Sequence, residues 1–220
     1  DRDNFRATSP DGAPGVLHSM VVGQLTKIQD WKMEADEGWA RGDQAPQPPD
    51  NATAGLWSRV DPIGIFVFVA GNQVQVTPED DHTADPATMC WVTEQEVVGQ
   101  QAGSHDVDGG KTTLRSPAFS LSGIQFARVR YFRWFTNNLG ANRSEDRFSV
   151  GISTAGGISY RAIEETFVSN PSWFERRWDI NNLVPLGSNL RLRFVARDSL
   201  GASLVEAALD DVTIEKWPPD

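Results

Sequence analysis

Apolar and polar residues alternate at every second position in short runs through much of the chain, and polar, turn-rich stretches separate those runs. Residues 127–135 (ARVRYFRWF) are the clearest case. Alternation places Val129, Tyr131, Arg133 and Phe135 on one face of a predicted strand, with Arg130, Phe132 and Trp134 on the other. Residues 147–153 put Phe148, Val150 and Ile152 on one face. Residues 189–197 turn Leu190, Leu192, Phe194 and Ala196 inward and Arg191 and Arg193 outward. Further strands are predicted over 64–69, 72–76, 89–93, from 112 onward, over 159–166 and 173–180, and within 203–216, which holds one or two. No ten-residue stretch carries a helical period. Regularly spaced short strands of this kind point to an all-β sandwich.

Between the strands, residues 43–54 (DQAPQPPDNATA) contain three prolines and read as a loop, as do the acidic stretch 78–87 and the polar stretch 103–110. Residues 1–28 differ from the rest. A turn cluster, SPDGAPG, precedes a short apolar run at 16–22, so 1–28 is expected to be an extension or linker from a preceding module, and 29–220 the main domain. The polar opening lacks a secretory leader pattern, and the chain reads as a piece of a longer protein.

Composition narrows the function classes. The 220 residues are 39% apolar, with a mean hydropathy of −0.40, and no run approaches the roughly 18–20 apolar residues of a membrane helix. The formal charge of −10, with no compact basic run in the sequence, argues against nucleic acid as a partner. A single cysteine, Cys90, leaves no intrachain disulfide and no all-cysteine zinc or iron–sulfur site.

Enzyme signatures are sparse. H-E-x-x-H, G-x-S-x-G, G-x-G-x-x-G and a phosphate-binding loop are all absent, and His18, His82 and His105 are far apart in sequence. Glycoside hydrolysis would require two carboxylates about 5–9.5 Å apart. A lyase-type site would need a tyrosine or histidine base beside arginine, for which Tyr131 and Arg133 are the available pair.

Two sets of residues could carry recognition. Arg130, Phe132 and Trp134 share a face next to a polar loop that holds Asn137 and Asn138. Either this face stacks sugar rings, or Phe132 and Trp134 pack between the sheets or under a covering loop, and packing is the reading we favour. Arg133 interrupts an apolar face and needs a partner, for which Glu206, Glu145 and Asp146 are candidates. An Arg133 pair at the floor of an open sheet would mark a ligand site. The second set is acidic: Glu34, Asp36, Asp80, Asp81 and Asp211 lie in loop or loop-flanking clusters. Converging carboxylates repel unless a cation lies between them, and Ca²⁺ takes six to eight such oxygens. The alternative is solvated loop carboxylates and turn caps.

Several segments occur in a familiar order: Met33-Glu34 with Gly38-Trp39, GLWSRVDP at 55–62, PEDDHT at 78–83, DVDGGKTTLRSP at 106–117, the aromatic strand at 129–135, NRSEDRFSV at 142–150 and VEAALDDVTI at 205–214. Together they resemble the MAM domain, in particular the bacterial MAM-like modules appended to exported peptidases and other secreted enzymes. The resemblance implies a jelly-roll β-sandwich of the MAM-like, concanavalin A-like kind. It also implies a structural calcium held by Glu34, Asp81 and Asp211, with Asp36 and Asp80 as neighbours. Unlike animal MAM domains, the chain has no cysteines to pair. The expectation is a secreted, extracellular, non-catalytic accessory module beside a catalytic domain, binding polysaccharide or a cell-surface protein ligand. The alternatives are a catalytic jelly roll acting on polysaccharide as hydrolase or lyase, or a structural spacer.

Overall fold

The computed structural model describes residues 25–95, 97, 102–199 and 203–217. The expected extension at 1–28 lies almost wholly outside them. Among the described residues thirteen strands follow in order: β1 (Thr26–Trp31), β2 (Ala40–Arg41), β3 (Trp57–Val60), β4 (Phe66–Val69), β5 (Asn72–Gln75), β6 (Cys90–Thr93), β7 (Lys111–Arg115), β8 (Phe126–Gly140), β9 (Arg147–Ser153), β10 (Arg161–Thr166), β11 (Asn170–Asp179), β12 (Arg191–Arg197) and β13 (Ser203–Trp217). There is no helix among the described residues. β1 crosses the expected boundary between residues 28 and 29 and pairs with β13. The strands β1, β2 and β3 are too short or too polar to alternate clearly, which is why periodicity did not reveal them.

The strands form two antiparallel layers. Sheet A has the order β11-β8-β13-β6-β3, with β1 added on β13, and sheet B has the order β10-β9-β12-β7-β2; β4 and β5 form a separate hairpin. Connections between the two sheets make this an all-β jelly-roll sandwich; the alternation predicted the sandwich, and the motif resemblance implied the jelly roll.

The core lies where the inner faces meet. From sheet A come Val129, Tyr131, Phe135, Leu209 and Ile214; from sheet B come Leu114, Phe148, Val150, Leu192 and Phe194, all buried. Tyr131 meets Phe194 edge-on at 5.2 Å, and Trp31 meets Trp39 edge-on at 5.5 Å. The inward face predicted for β12 is the observed one, and the residues predicted to share a face in β8 (Val129, Tyr131, Arg133, Phe135) and in β9 (Phe148, Val150, Ile152) do so on the core side.

A smaller apolar cluster lies on the opposite, outward face of sheet A: Cys90, Val92, Trp134 and Ala208, with Val60 and Trp173 packed against it. A segment leading from the β4–β5 hairpin covers it. Val76 is buried there, and its carbonyl accepts hydrogen bonds from Trp134 Nε1 (2.8 Å) and Thr136 Oγ1 (3.0 Å). Farther along, the Asp80 carbonyl accepts from Trp173 Nε1 at 3.0 Å. Sheet A is therefore covered on both sides of this region.

Candidate functional site

The acidic residues expected near a metal converge in part. β13 is irregular between Asp210 and Thr213, and Asp211 takes a φ of +50°. In a regular strand, adjacent side chains point to opposite faces; this bulge lets both aspartates serve the same loop. Asp210 accepts the backbone N–H of His82 (2.8 Å) and of Thr83 (3.2 Å). Asp211 accepts from Lys32 Nζ (2.5 Å) and Thr83 Oγ1 (2.9 Å), and its other oxygen lies 2.6 Å from His82 Nδ1.

Burial, followed by the charges of Asp211 and Asp81, pushes Asp210 up to about 8. Burial, followed by the nearby Glu34, Asp211 and Asp80 carboxylates, pushes Asp81 up to about 7. Burial also acts against the Asp211 carboxylate, but its bonds to Lys32, His82 and Thr83 outweigh that and hold it below the ordinary carboxylate range.

The fit to calcium is partial. Asp81 Oδ2 is buried with no hydrogen-bond partner beside other carboxylates, which is the environment a cation relieves. Yet among the described residues no three acidic, histidine or cysteine side chains are set around one point as metal ligands. Glu34 spends both oxygens on the backbone N–H groups of Thr88 and Met89. Asp36 is exposed and caps Gly38, and the Asp80 side chain is exposed at the edge of the cluster.

The residues expected to bind ligand do not share one open surface. Phe132 is stacked under His82 at 3.4 Å, Arg130 is paired with Glu175, and Trp134 is buried under the covering segment. Packing, not an open aromatic platform, is what this face does. Arg133, Asn137 and Glu206 are buried. Asn137 donates to the Asp146 and Phe167 carbonyls, Asn138 accepts from Ser169, and Glu206 accepts from Thr93 Oγ1.

The expected Arg133 partner is corrected. Arg133 pairs with Glu164 at 2.7 Å, not with Glu206, Glu145 or Asp146. Tyr131 donates to the other Glu164 oxygen and accepts from Trp178 Nε1, and burial raises its phenol well above the ordinary range. A phenol held this way cannot serve as a lyase base at neutral pH.

The outward face of sheet B is built differently. Cross-strand register sets Lys111 of β7 opposite Arg197 of β12, and Arg197 opposite Arg147 of β9. Four residues along, Arg115 lies opposite Arg193. The loop that follows β2 reaches over this face: Asp43 pairs with Lys111 and Arg193, and Gln47 accepts from Arg193 Nη1 at 3.2 Å. Gln47 then donates to the Ile158 carbonyl across the sheet. Beside this strap a recess of about 170 Å³ remains, with Lys111, Arg147, Arg193 and Arg197 in its lining along with Ser149 and Gln47.

Sequence reading marked Arg191 and Arg193 as outward. It missed this site because the other cations come from strands distant in sequence. A larger recess of about 580 Å³ lies at one end of the sandwich, where Phe68, Leu204, Asp108 and Arg143 meet. Burial, followed by the Asp198 charge, raises Asp108 above the usual carboxylate range.

No family model matches the chain, and no curated protein matches it. Among solved structures, it is similar to the K1 cleaved adhesin domain of Lys-gingipain from Porphyromonas gingivalis W83, with 15% identity, a TM-score of 0.50, and coverage of 88% of this chain and 99% of that one. It also matches the C-terminal family 22 carbohydrate binding module of Clostridium thermocellum Xyn10B at 11% identity and a TM-score of 0.43, covering 87% and 94% of the two chains. TmCBM61, solved in complex with β-1,4-galactotriose, matches at 12% identity and a TM-score of 0.44, with coverage of 84% and 92%. At these identities the likeness is one of fold: a β-sandwich, which is also the level at which the MAM motifs agree with the structure.

Proposed function

We propose that this chain is a non-catalytic accessory module that binds polysaccharide, with the ligand lying on the outward face of sheet B. One observation carries the reading. That face keeps a recess lined by hydrogen-bonding side chains beside the 43–50 strap, whereas the Trp134 region of sheet A's outward face is sealed by the segment around Val76–His82. Donors held on strands suit hydroxyl-rich chains, because strand-mounted side chains lose little further freedom on binding. The setting in an exported bacterial enzyme, beside a catalytic domain, is proposed on the motif resemblance. Calcium at Glu34, Asp81 and Asp211 is proposed with it. The buried, unpartnered Asp81 oxygen and the crowding that raises Asp81 support that assignment.

The experiment is affinity electrophoresis of the purified protein through gels containing individual neutral and acidic polysaccharides, with product release assayed in the same samples. Retardation without product supports the module. Release of oligosaccharide turns the reading to an enzyme. Migration unchanged in every gel, from a sample shown to be folded, overturns it in favour of a spacer.

A further inference from the structure

The arrangement of charge on sheet B says more about the ligand. Like charges set directly opposite on neighbouring strands repel, and sheets ordinarily avoid them. Here three stand in one row across three adjacent strands, Lys111, Arg197 and Arg147, in a chain whose formal charge is −10. No carboxylate lines the recess they share with Arg193.

The acids that offset the row lie to its sides. Asp43, its side chain fully buried, takes Lys111 and Arg193; Asp50 lies 3.4 Å from Lys111; and Glu165 meets Arg147 at 2.9 Å in an exposed pair. Among the described residues the central cation, Arg197, has no ion pair. It is only partly exposed, as are Arg193 and Arg147, while Lys111 is buried. Arg193 also lies 4.2 Å over the Tyr160 ring, which fixes its guanidinium plane. A recess of partly desolvated, positioned guanidinium groups binds planar or tetrahedral oxyanions far better than it binds hydroxyls.

We propose that the ligand of this face is an anionic polysaccharide, one carboxylate or sulfate of which enters the recess at Arg197 between Lys111 and Arg147. The proposal rests on the reading of the chain as a polysaccharide-binding module and specifies the ligand's chemical class. Uronic acids and sulfated sugars offer the same chemistry here, and the test separates them.

Binding of the intact chain is measured by calorimetry to polygalacturonate, to chondroitin sulfate, to neutral galactan and xylan, and to double-stranded DNA. The Arg197→Glu and Arg197→Gln variants are run beside the native chain, each checked by its melting curve. The expected result is that one or both acidic polymers bind about tenfold or more tightly than the neutral ones, and that binding weakens about tenfold between roughly 50 and 500 mM salt. Arg197→Gln should weaken it about tenfold and Arg197→Glu abolish it. Carboxylate is assigned if polygalacturonate leads, and sulfate if chondroitin sulfate leads.

Tighter binding to neutral galactan or xylan, indifferent to salt and to both variants, would overturn the proposal and leave the module reading intact. Binding to DNA as tight as to the best polysaccharide would overturn it in favour of general polyanion attraction. No binding to any polymer would remove both the proposal and the reading beneath it. If Arg197→Glu fails to fold, the Arg197→Gln variant and the salt series on the native chain still decide the matter.

Discussion

Arg133 and Glu164 join the two layers of the sandwich: the guanidinium on β8 of sheet A meets the carboxylate on β10 of sheet B at 2.7 Å, and both side chains are almost fully buried. The same carboxylate takes the Tyr131 hydroxyl and lies 3.1 Å from Arg176 Nε, so one glutamate balances two arginines. The Arg133 guanidinium also lies near the Phe148 and Phe174 rings, and a recess of about 270 Å³ remains beside the pair.

Removing that carboxylate should be strongly destabilising. Glu164→Gln leaves the buried Arg133 and the partly exposed Arg176 on a neutral amide beside a recess of about 270 Å³, and the expected loss is about 3 kcal/mol. The double change Arg133→Met with Glu164→Leu should recover most of it, because desolvation is then no longer incurred. Urea unfolding of the three proteins checks both. Equal stability of native and Glu164→Gln chains would show that the pair is not sealed from water.

Trp134 is a packing residue with a polar tip. Trp134→Phe should lose its hydrogen bond to the Val76 carbonyl and destabilise the fold by about 0.5–1.5 kcal/mol. Polysaccharide affinity should be unchanged. A large loss of binding at intact stability would return recognition to sheet A.

In the presence of a chelator, stability should fall as pH rises from about 5 to about 8. Asp210 is raised to about 8 and Asp81 to about 7, so the folded chain holds protons there that the unfolded chain has released. Their contribution is full below the unfolded aspartate range and fades as pH climbs through the raised values. Asp210→Asn should flatten the melting temperature across this window. A native profile that rises through the same range would contradict the assignment.

Calcium at the cluster predicts a melting temperature that increases with added calcium and falls in chelator, since an ion that binds only the folded state stabilises it by mass action. Asp211→Ala should remove that response, because it takes away a central carboxylate. Identical melting of the native chain in calcium and in chelator would end the calcium proposal.

Gly55 has a backbone role. Its φ is +67°, and a Cβ there would lie 2.4 Å from the Val107 Cα, a backbone atom that cannot swing aside. Gly55→Ala should cost about 1–3 kcal/mol from overpacking, increased by the left-handed conformation, and chemical denaturation would measure it.

Much of this protein could be read from its sequence, and the physical reason is local. Strand side chains alternate, so the spacing of Val129, Tyr131 and Phe135, of Phe148, Val150 and Ile152, and of Leu192 and Phe194 already determined which residues share a face, and these are the faces that meet in the core. Composition determined that no disulfide between two of these 220 residues, and no all-cysteine metal site built from them, supports the fold. Tertiary structure decided the rest. Whether Trp134 would face ligand or pack depended on where the segment around Val76 came to lie. Arg133 chose Glu164 because the sandwich brings β10 to β8's side of the core, a pairing that no sequence spacing encodes. The chain shows no basic run, yet register sets Lys111, Arg197 and Arg147 in one row. Charge on a sheet is gathered across strands, by hydrogen-bond pairing between residues dozens of positions apart, and only the folded chain brings it together.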